Sequence, residues 1–388
     1  MSRTRTALAA AGALLLLATG CGTQRDPAGS GSVKQACVGT SAAQQKDKVA
    51  KVWADAGEHL GLKDLKPPST AVCQVDTRKY AKKGPYTIAY ASQGPTNSWA
   101  SEADYFFRRE AGRRGAGVLY ASANGDAATQ VNNMQDLLAQ RPDALVVQPM
   151  GSAVKGQVQQ AAAQGVPVVV CTGRLPADTG GVVSTVGRSY ELQGTLTAEW
   201  LAKTMGYSGQ IAYLSGIPGV PTSEYQYAAA KKVFAKYPKI HAVTRQYTQW
   251  SPTQAKKTAA SLAVRYPDLK GVWTDSGVSE TGVIQAYQAA GKKIPPMTGD
   301  SSNAFLRSAA AAGGVRFAQT AYPPEQTAAC ADAAVNILRG KPVPSVQEIN
   351  SAVYTNAELS RYYRRDCTDN LWVPTSLTPA EAKELKLC

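Results

Sequence analysis

The sequence predicts an α/β protein with two doubly wound lobes. Short strands alternate with amphipathic helices from about residue 86 onward, the strands are apolar without interruption, and the alternation restarts near residue 210. Uninterrupted apolar strands, such as "ALVV" at 144–147, indicate parallel sheets that are covered by helices on both faces. The chain has 388 residues, which is enough for two lobes with separate cores.

The elements follow in a regular order, bounded by turn residues. In the first run we expect strands at 88–91, 117–121, 144–148, 166–170 and 182–186, with helices at 98–113, 127–139, 153–163 and 191–205. In the second run we expect strands at 210–214, 242–247, 271–274 and one that reaches 298, with helices at 223–234, 253–264 and 279–290.

The N-terminal region has a different character. Arg3 and Arg5 precede an apolar run at 7–18 that is too short to span a bilayer, as in a signal peptide over residues 1–20. The following "LATGC" resembles the lipobox of bacterial lipoproteins, so we expect Cys21 to carry a lipid that holds the protein outside the cell membrane. The alternative is an ordinary cleaved signal. Residues 21–36 then form a flexible tether, and 37–84 form a small helical module.

The cysteine count is seven. If Cys21 carries a lipid, six remain for three disulfides in an oxidising compartment. Proximity along the chain favours two pairs, Cys37–Cys73 and Cys367–Cys388. The pairing of Cys171 and Cys330 stays open. The sequence contains no CxxC motif and no Cys/His spacing typical of a metal site, so we expect no bound metal.

Aromatic, amide and charged side chains recur directly after the predicted strands. Ligands of parallel sheets bind beyond the carboxyl ends of the strands, where rings can stack on a small ligand and planar groups can fix its edge. The candidates are Gln93, Asn97, Trp99, Gln148 and Arg174 in the first run and Glu224, Trp250, Ser276, Asp300 and Tyr322 in the second. Two alternatives remain: Trp99 is a core residue under its loop, or Asp300 is the N-cap of a following helix.

The order of these features resembles the sugar-type periplasmic binding proteins, the ribose-binding branch of ABC-transporter receptors. The resemblance covers roughly residues 86–358 and rests on "IAYASQGPTNSWAS", "VGRSYELQG", "GVWTDSGVSETG" and "TGDSSN" in that order. It implies the type I fold, in which hinge strands join two Rossmann-like lobes, with the last crossings near 318–323 and 350–354. The first lobe would comprise 85–205 and 324–350, and the second lobe with the C-terminal tail 206–323 and 351–388.

The resemblance also assigns roles to single residues. Asn97 and Trp99 correspond to the amide and the aromatic ring of the family's first lobe. Trp250 and Asp300 correspond to the aromatic ring and the carboxylate of its second lobe, and Tyr322 stands where the hinge often carries an amide. The chain departs from the family at Thr172-Gly173-Arg174, where Asp-Arg is usual, and at Glu224, where an Arg is usual. The identity of the sugar therefore stays open.

The resemblance implies a monomeric receptor that delivers a small polar ligand, most readily a sugar, to an ABC-transporter permease without a cofactor. The alternatives are a sensory lipoprotein and a binder of a non-sugar solute. No G-x-S-x-G, P-loop or dinucleotide motif indicates an enzyme. The formal charge is +14, but the basic residues are scattered and no helix-turn-helix is present, so we expect no nucleic-acid partner.

Overall fold

The computed structural model describes residues 42–63, 65–67, 72–349 and 352–388. The predicted signal peptide, Cys21 and Cys37 lie outside these ranges, and what the sequence indicates for them stays a prediction. No helix within the described ranges is long and apolar enough to cross a membrane.

The predicted alternation of strands and helices is present. The chain begins with α1 (Ala42–His59), β1 (Gln74–Val75), β2 (Tyr86–Ser92), α2 (Ser98–Arg113), β3 (Ala116–Ser122), α3 (Ala127–Ala139), β4 (Ala144–Val147), α4 (Lys155–Ala163), β5 (Val168–Cys171) and β6 (Val182–Gly187). It continues with α5 (Tyr190–Thr204), β7 (Gly209–Ser215), α6 (Pro221–Phe234), β8 (Ile240–Tyr247), α7 (Pro252–Arg265), β9 (Leu269–Thr274), α8 (Gly277–Ala289), β10 (Met297–Gly299), α9 (Asn303–Ala312) and β11 (Phe317–Thr320). The last elements are α10 (Gln326–Leu338), β12 (Val343–Pro344), β13 (Val346–Glu348), β14 (Val353–Thr355), α11 (Leu359–Tyr362) and α12 (Pro379–Glu384).

Two six-stranded sheets form the centres of the lobes. The first sheet has the order β13-β6-β5-β4-β2-β3 and is parallel throughout. The second has the order β14-β11-β10-β9-β7-β8 and is parallel except for β14, which runs antiparallel to β11. The central strands are buried on both faces, as their apolar sequences indicate. The two doubly wound lobes are therefore confirmed.

From β2 onward the chain passes between the lobes three times: between β6 and α5, between β11 and α10, and between β13 and β14. Before β2, α1 packs on the second lobe, whereas β1 pairs with β12 beside the first lobe. The first crossing differs from the expected boundary after residue 205. Helix α5 packs against the second sheet, where its Leu196 and Leu201 join Ile211 and Trp273 in one core. The crossing therefore lies at Arg188, before α5, because the apolar face of this helix covers the second sheet and not the first.

Two disulfides are formed among the described residues. Cys367 is bonded to Cys388, which confirms that prediction. Cys171 is bonded to Cys330, the pair that the sequence left open, and this bond joins the end of β5 to α10. It closes a loop of 159 residues, which contributes up to about 5 kcal/mol in the loop-entropy description. Cys73 is also disulfide-bonded, but its expected partner Cys37 lies outside the described residues.

Candidate functional site

A small cavity lies between the two lobes, at the carboxyl ends of strands from both sheets. It measures about 40 Å³, far below the roughly 300–1,000 Å³ of most ligand pockets. The cleft between the lobes is therefore nearly closed in this structure, and a molecule that fills a pocket of the usual size would fit only if the lobes moved apart. The cavity is lined by Gln93, Thr96, Asn97, Trp99, Ala100, Thr222, Trp250, Asp275, Ser276, Asp300, Tyr322 and Trp372.

Seven of the ten candidate residues from the sequence line this cavity. They are Gln93, Asn97, Trp99, Trp250, Ser276, Asp300 and Tyr322. The parallel sheets account for this convergence, because the carboxyl ends of their strands point toward the cleft from both sides.

Trp99 and Tyr322 form one wall of the cavity. Their rings are stacked, with centroids 4.8 Å apart and planes inclined by 12°. Trp99 Nε1 donates a hydrogen bond to the Tyr322 carbonyl oxygen at 2.7 Å. Asn97 fixes the approach to this wall, because its Oδ1 accepts from the Ala100 amide at 3.1 Å and caps α2. Trp99 is only 4% exposed, so it is buried as a core residue would be and also faces the cavity.

Trp250 forms the opposing wall, from the second lobe. Gln249 and Trp250 have φ angles of 56° and 50°, a left-handed conformation that is uncommon for residues other than glycine. The indole packs on the backbone of Gly216, where an added Cβ would lie 2.0 Å from Trp250 Cε2. Asp275 holds the indole in place, because its Oδ1 accepts from Trp250 Nε1 at 3.2 Å and its Oδ2 accepts from the Gly216 amide at 3.0 Å.

Asp300 is a buried carboxylate on the second-lobe side. Its Oδ1 accepts from the Gly277 amide at 2.7 Å, and its Oδ2 lies 3.6 Å from Arg188 Nη2. Burial raises the pKa of Asp300 to about 7, while the Arg188 charge acts in the opposite direction. Asp300 is not the N-cap of α9, since Ser302 takes that position and accepts from the Phe305 amide at 3.2 Å.

Arg188 is a buried residue beside the cavity that the sequence analysis did not single out, and it contacts the cavity residue Asp300 without lining the cavity itself. It lies on the first crossing between the lobes and is 5% exposed. Its guanidinium carbon lies 3.7 Å from the centre of the Tyr322 ring, and its Nη1 donates to the carbonyl oxygens of Thr320 and Ala321 at 3.0 and 3.1 Å. Its Nε and Nη2 have no hydrogen-bond partner among the described residues. Arg188 directly follows β6, so its position at the end of a strand could have identified it as a candidate.

Three candidate residues do not reach the cavity. Gln148 is buried beneath it and makes hydrogen bonds to two neighbouring hydroxyl groups at 2.9 and 3.2 Å. Arg174 forms an ion pair with Glu191. Glu224 is held by Arg245 through hydrogen bonds of 3.0 and 3.1 Å. Each of them lies near the carboxyl end of a strand, but bonds within its own neighbourhood hold it away from the cavity.

Five lining residues are not among the sequence candidates, namely Thr96, Ala100, Thr222, Asp275 and Trp372. Trp372 is the one that carries an aromatic ring. It is 2% exposed and contributes an indole to the cavity from a segment that follows β14. This segment lies beyond the alternating strands and helices. The expectation that site residues directly follow strands, called the strand-end rule below, therefore does not select Trp372.

A larger open cleft of about 1,090 Å³ lies between α1, α5 and α6. Its polar groups include lysines on flexible stems, such as Lys63, Lys203 and Lys232, and Lys236, which pairs with Glu199 at 2.8 Å. The cavity between the lobes differs because Asp275, Ser276 and Asp300 are buried, and hydrogen bonds hold both carboxyl groups in place. Fixed, convergent polar groups are typical of small-molecule sites, so we assign the site to that cavity.

Residues 88–342 match the periplasmic binding protein domain. The chain belongs to the periplasmic binding protein family. Its members are extracytoplasmic solute-binding proteins and not enzymes, in agreement with the resemblance on which the sequence analysis relied. The two lobes and their three crossings are the type I fold of this family.

Curated relatives in the family are moderately similar. The ribose import binding protein of Bacillus subtilis (strain 168) is 27% identical over 279 residues, which cover 70% of this chain and 90% of the relative. The xylitol-binding protein of Mycolicibacterium smegmatis is 26% identical over 184 residues, which cover 47% of this chain and 52% of the relative. The ribose import binding protein of Salmonella typhimurium is 24% identical, and the match covers 62% of it. The chain thus spans less than two thirds of the latter two relatives.

Solved structures agree with the fold. A solute-binding protein from Actinobacillus succinogenes with bound D-allose superposes with a TM-score of 0.63 at 23% identity, covering 72% of this chain and all of that one. A solute-binding protein from Mycobacterium smegmatis with bound glycerol gives a TM-score of 0.66 at 22% identity, covering 73% of this chain and 98% of that one.

The raised pKa of Asp300 predicts a specific pH dependence of stability. Between its ordinary value of 3.8 and about 7, the folded protein holds a proton that the unfolded chain has lost, so the contribution of Asp300 to stability decreases as pH rises through this window. The free energy of unfolding of the wild type minus that of Asp300→Asn should fall by on the order of 4 kcal/mol between about pH 4 and pH 8. Urea unfolding at a series of pH values measures this difference.

Burial also raises the pKa of Glu102 and Glu280, so these two groups also lower the stability of the wild type and of Asp300→Asn as pH rises. Subtracting the free energy of unfolding of Asp300→Asn from that of the wild type removes their contribution. Asp126→Asn is the matched control, since hydrogen bonds at the start of α3 lower the pKa of this exposed carboxyl. Its difference should stay nearly constant between about pH 4 and pH 8, because a carboxyl with a lowered pKa changes its contribution to stability only below its ordinary value of 3.8. A difference for Asp300→Asn that stays constant with pH would show that pairing with Arg188 keeps the carboxylate ionised throughout.

Proposed function

We propose that this protein is the receptor of an ABC transporter and that it binds a small sugar or sugar alcohol between its two lobes. The observation that carries the proposal is the cavity, where opposing rings and the buried carboxyl group of Asp300 meet at the carboxyl ends of both sheets. The guanidinium of Arg188 does not line the cavity, but its Nη2 lies 3.6 Å from Asp300 Oδ2. The names of the relatives support the ligand class, since they include ribose import, xylitol-binding and D-apiose import proteins.

The chemistry of the walls suits a polyhydroxylated ring. The C–H face of a sugar is apolar and packs on aromatic rings, which Trp99 and Trp250 present from opposite lobes. Sugar hydroxyls both donate and accept hydrogen bonds. Asp300 supplies an acceptor and Arg188 supplies donors 3.6 Å away, so two adjacent hydroxyl groups can satisfy both at once.

Ligand binding would stabilise the closed cleft. The ligand touches residues of both lobes, and the three crossings after β6, β11 and β13 are where the two sheets are joined. A ligand that binds the closed form better than the open form shifts the population toward closure. The closed form is then the state that a permease recognises.

A panel of neutral sugars and sugar alcohols, with amino acids as negative solutes, tests the ligand class by thermal melting. A solute at 100 times its dissociation constant adds ~2.7 kcal/mol to stability, which corresponds to a rise in Tm of roughly 5–10 °C. For the best solute, Trp250→Ala should weaken binding about ten- to a hundredfold, because the variant loses one stacked ring. Titration calorimetry measures the affinity.

Tyr247→Ala is the matched control, since this tyrosine ends β8 next to the same loop but is 36% exposed and lies outside the cavity. Its affinity should equal that of the wild type. The proposal fails if no sugar or sugar alcohol shifts the melt, or if Trp250→Ala binds the best solute with unchanged affinity and normal folding.

We also propose that the protein acts as a monomer that Cys21 anchors to the outer face of the cell membrane. The lipobox-like "LATGC" and the tether after it support the anchor. Cys21→Ala should move the protein from the membrane fraction to the medium or periplasm, because a diacylated cysteine supplies most of the membrane affinity. Immunoblots of the two fractions measure this distribution, and unchanged membrane retention would contradict the anchor.

A further inference from the structure

The C-terminal strap, defined as residues 364–388, is attached firmly to the second lobe. Asn303 at the start of α9 donates from its Nδ2 to the carbonyl oxygens of Arg364, Cys367 and Thr368 at 2.8, 3.2 and 3.0 Å. The Asn303 amide donates to the Leu371 carbonyl oxygen at 2.8 Å. Apolar side chains of the strap enter the core of the second lobe, and the Cys367–Cys388 disulfide closes the strap on itself. The strap therefore moves with the second lobe.

The same strap reaches across the cleft to α2 in the first lobe. Trp372 Nε1 donates to Ser98 Oγ at 3.0 Å, and the Trp372 amide donates to Glu102 Oε1 at 3.2 Å. Tyr105 and Arg109 both donate to Glu381 Oε1, at 3.2 and 2.8 Å. A fifth contact, from the Ser376 amide to Glu325 Oε2 at 3.0 Å, lies beside α10.

The contacts on α2 follow a helical pattern. Ser98, Glu102, Tyr105 and Arg109 have the spacing i, i+4, i+7 and i+11, which places them on one face of the helix. A full row of side chains on this face meets the strap, while the apolar face of α2 packs into the first lobe. Four contact residues on one helix face indicate that this face of α2 and the strap form a specific interface.

Glu381 is oriented for this contact before the lobes meet. Its Oε2 accepts from the Thr378 amide at 2.8 Å in the capping box of α12. Its Oε1 remains directed at Arg109, with both side chains about one-fifth exposed. An ion pair with one fixed partner loses less conformational entropy on forming than a pair of two mobile side chains.

Trp372 links the strap to the ligand site. It is the strap residue that lines the cavity, beside Trp99 and Tyr322 in one apolar cluster. The strap lies beyond residues 88–342, which match the family domain, so the family match does not account for it.

We propose that the strap is a latch between the lobes. Whenever the lobes meet, with or without a ligand, Trp372 becomes part of the wall of the cavity, and Trp372 and Glu381 engage the outer face of α2 and hold the cleft closed. The strap thereby slows the release of the ligand. This proposal rests on the proposed function for its ligand, but the latch itself is a property of the two lobes.

Stopped-flow fluorescence of the full-length protein tests the latch with the sugar or sugar alcohol that raises the melting temperature most. Arg109→Ala removes the ion pair, and Trp372→Phe removes the bond to Ser98 while it keeps a ring in the wall. Each should speed dissociation about three- to tenfold. Ser98→Ala should match Trp372→Phe, and the double variant should be no faster than either, since both remove one bond.

Arg113→Ala is the control, because Arg113 lies on the same helix, is 71% exposed and pairs with Glu110 instead of the strap. Its dissociation rate should equal that of the wild type. If Trp372→Phe does not fold, Arg109→Ala and Ser98→Ala carry the test. Wild-type dissociation rates in Arg109→Ala and Ser98→Ala would overturn the latch.

Small-angle scattering separates failure of the latch from failure of the sugar proposal. If no sugar or sugar alcohol binds the wild type, the proposed function fails, and the latch is judged on the ligand-free protein alone. The Ser98→Ala/Arg109→Ala variant should then show a larger radius of gyration than the wild type and than Arg113→Ala. An unchanged radius would overturn the latch independently of the ligand.

Discussion

A carboxylate and a guanidinium buried between the lobes set the conditions for the rest of the site. Asp300 and Arg188 are each at most 5% exposed, and removal of both charges from water costs several kcal/mol unless hydrogen bonds compensate. The protein satisfies them in part, through the Gly277 amide and two carbonyl oxygens of the hinge. Two guanidinium nitrogens, Nε and Nη2, have no hydrogen-bond partner among the described residues, although Nη2 lies 3.6 Å from Asp300 Oδ2. The ligand class proposed above is rich in hydroxyl groups, and hydrogen bonds from such a ligand would offset the desolvation cost that disfavours the empty closed cleft.

Helix α2 connects this site to the closure of the lobes. Its first turn carries Trp99, and Asn97 caps its start, so the helix begins at the cavity. Its outer face meets the strap from the second lobe through a row that runs from Ser98 to Arg109. One rigid element thus contacts the ligand site at its N-terminus and the opposite lobe along its length. Tyr322 has a similar double role, because it stacks on Trp99 and on the guanidinium of Arg188 while it lies on a hinge crossing.

The sequence predicted most of the fold because each element carries its own signal. Continuous apolar strands and the spacing of apolar residues in helices identify the elements, but they do not show which sheet a helix covers. Helix α5 was therefore placed in the first lobe, although its Leu196 and Leu201 pack against the second. Helix α9 was considered only as an alternative, with Asp300 in a turn or as the N-cap before it, whereas Ser302 takes the N-cap position.

The site could be predicted only as far as the strand-end rule reaches. That rule found seven residues of the cavity, because parallel strands deliver their following loops to one edge. It also selected Gln148, Arg174 and Glu224, which do not line the cavity. Their side chains bond to nearby residues instead, to Thr172, Glu191 and Arg245 respectively, and no sequence pattern predicts these contacts. The strand-end rule could not select Trp372, because this residue belongs to an irregular segment. A long-range contact of such a segment produces no periodic pattern of apolar residues in the sequence.

A crystal structure of the protein with the sugar or sugar alcohol that most raises its melting temperature tests the central claim most directly. We expect the ligand ring between Trp99 and Trp250, with hydroxyl groups within hydrogen-bond distance of Asp300 and Arg188 and the strap in contact with α2. A ligand bound in the cleft between α1, α5 and α6, or one bound between the lobes without contact to Asp300 or either indole, would contradict the account.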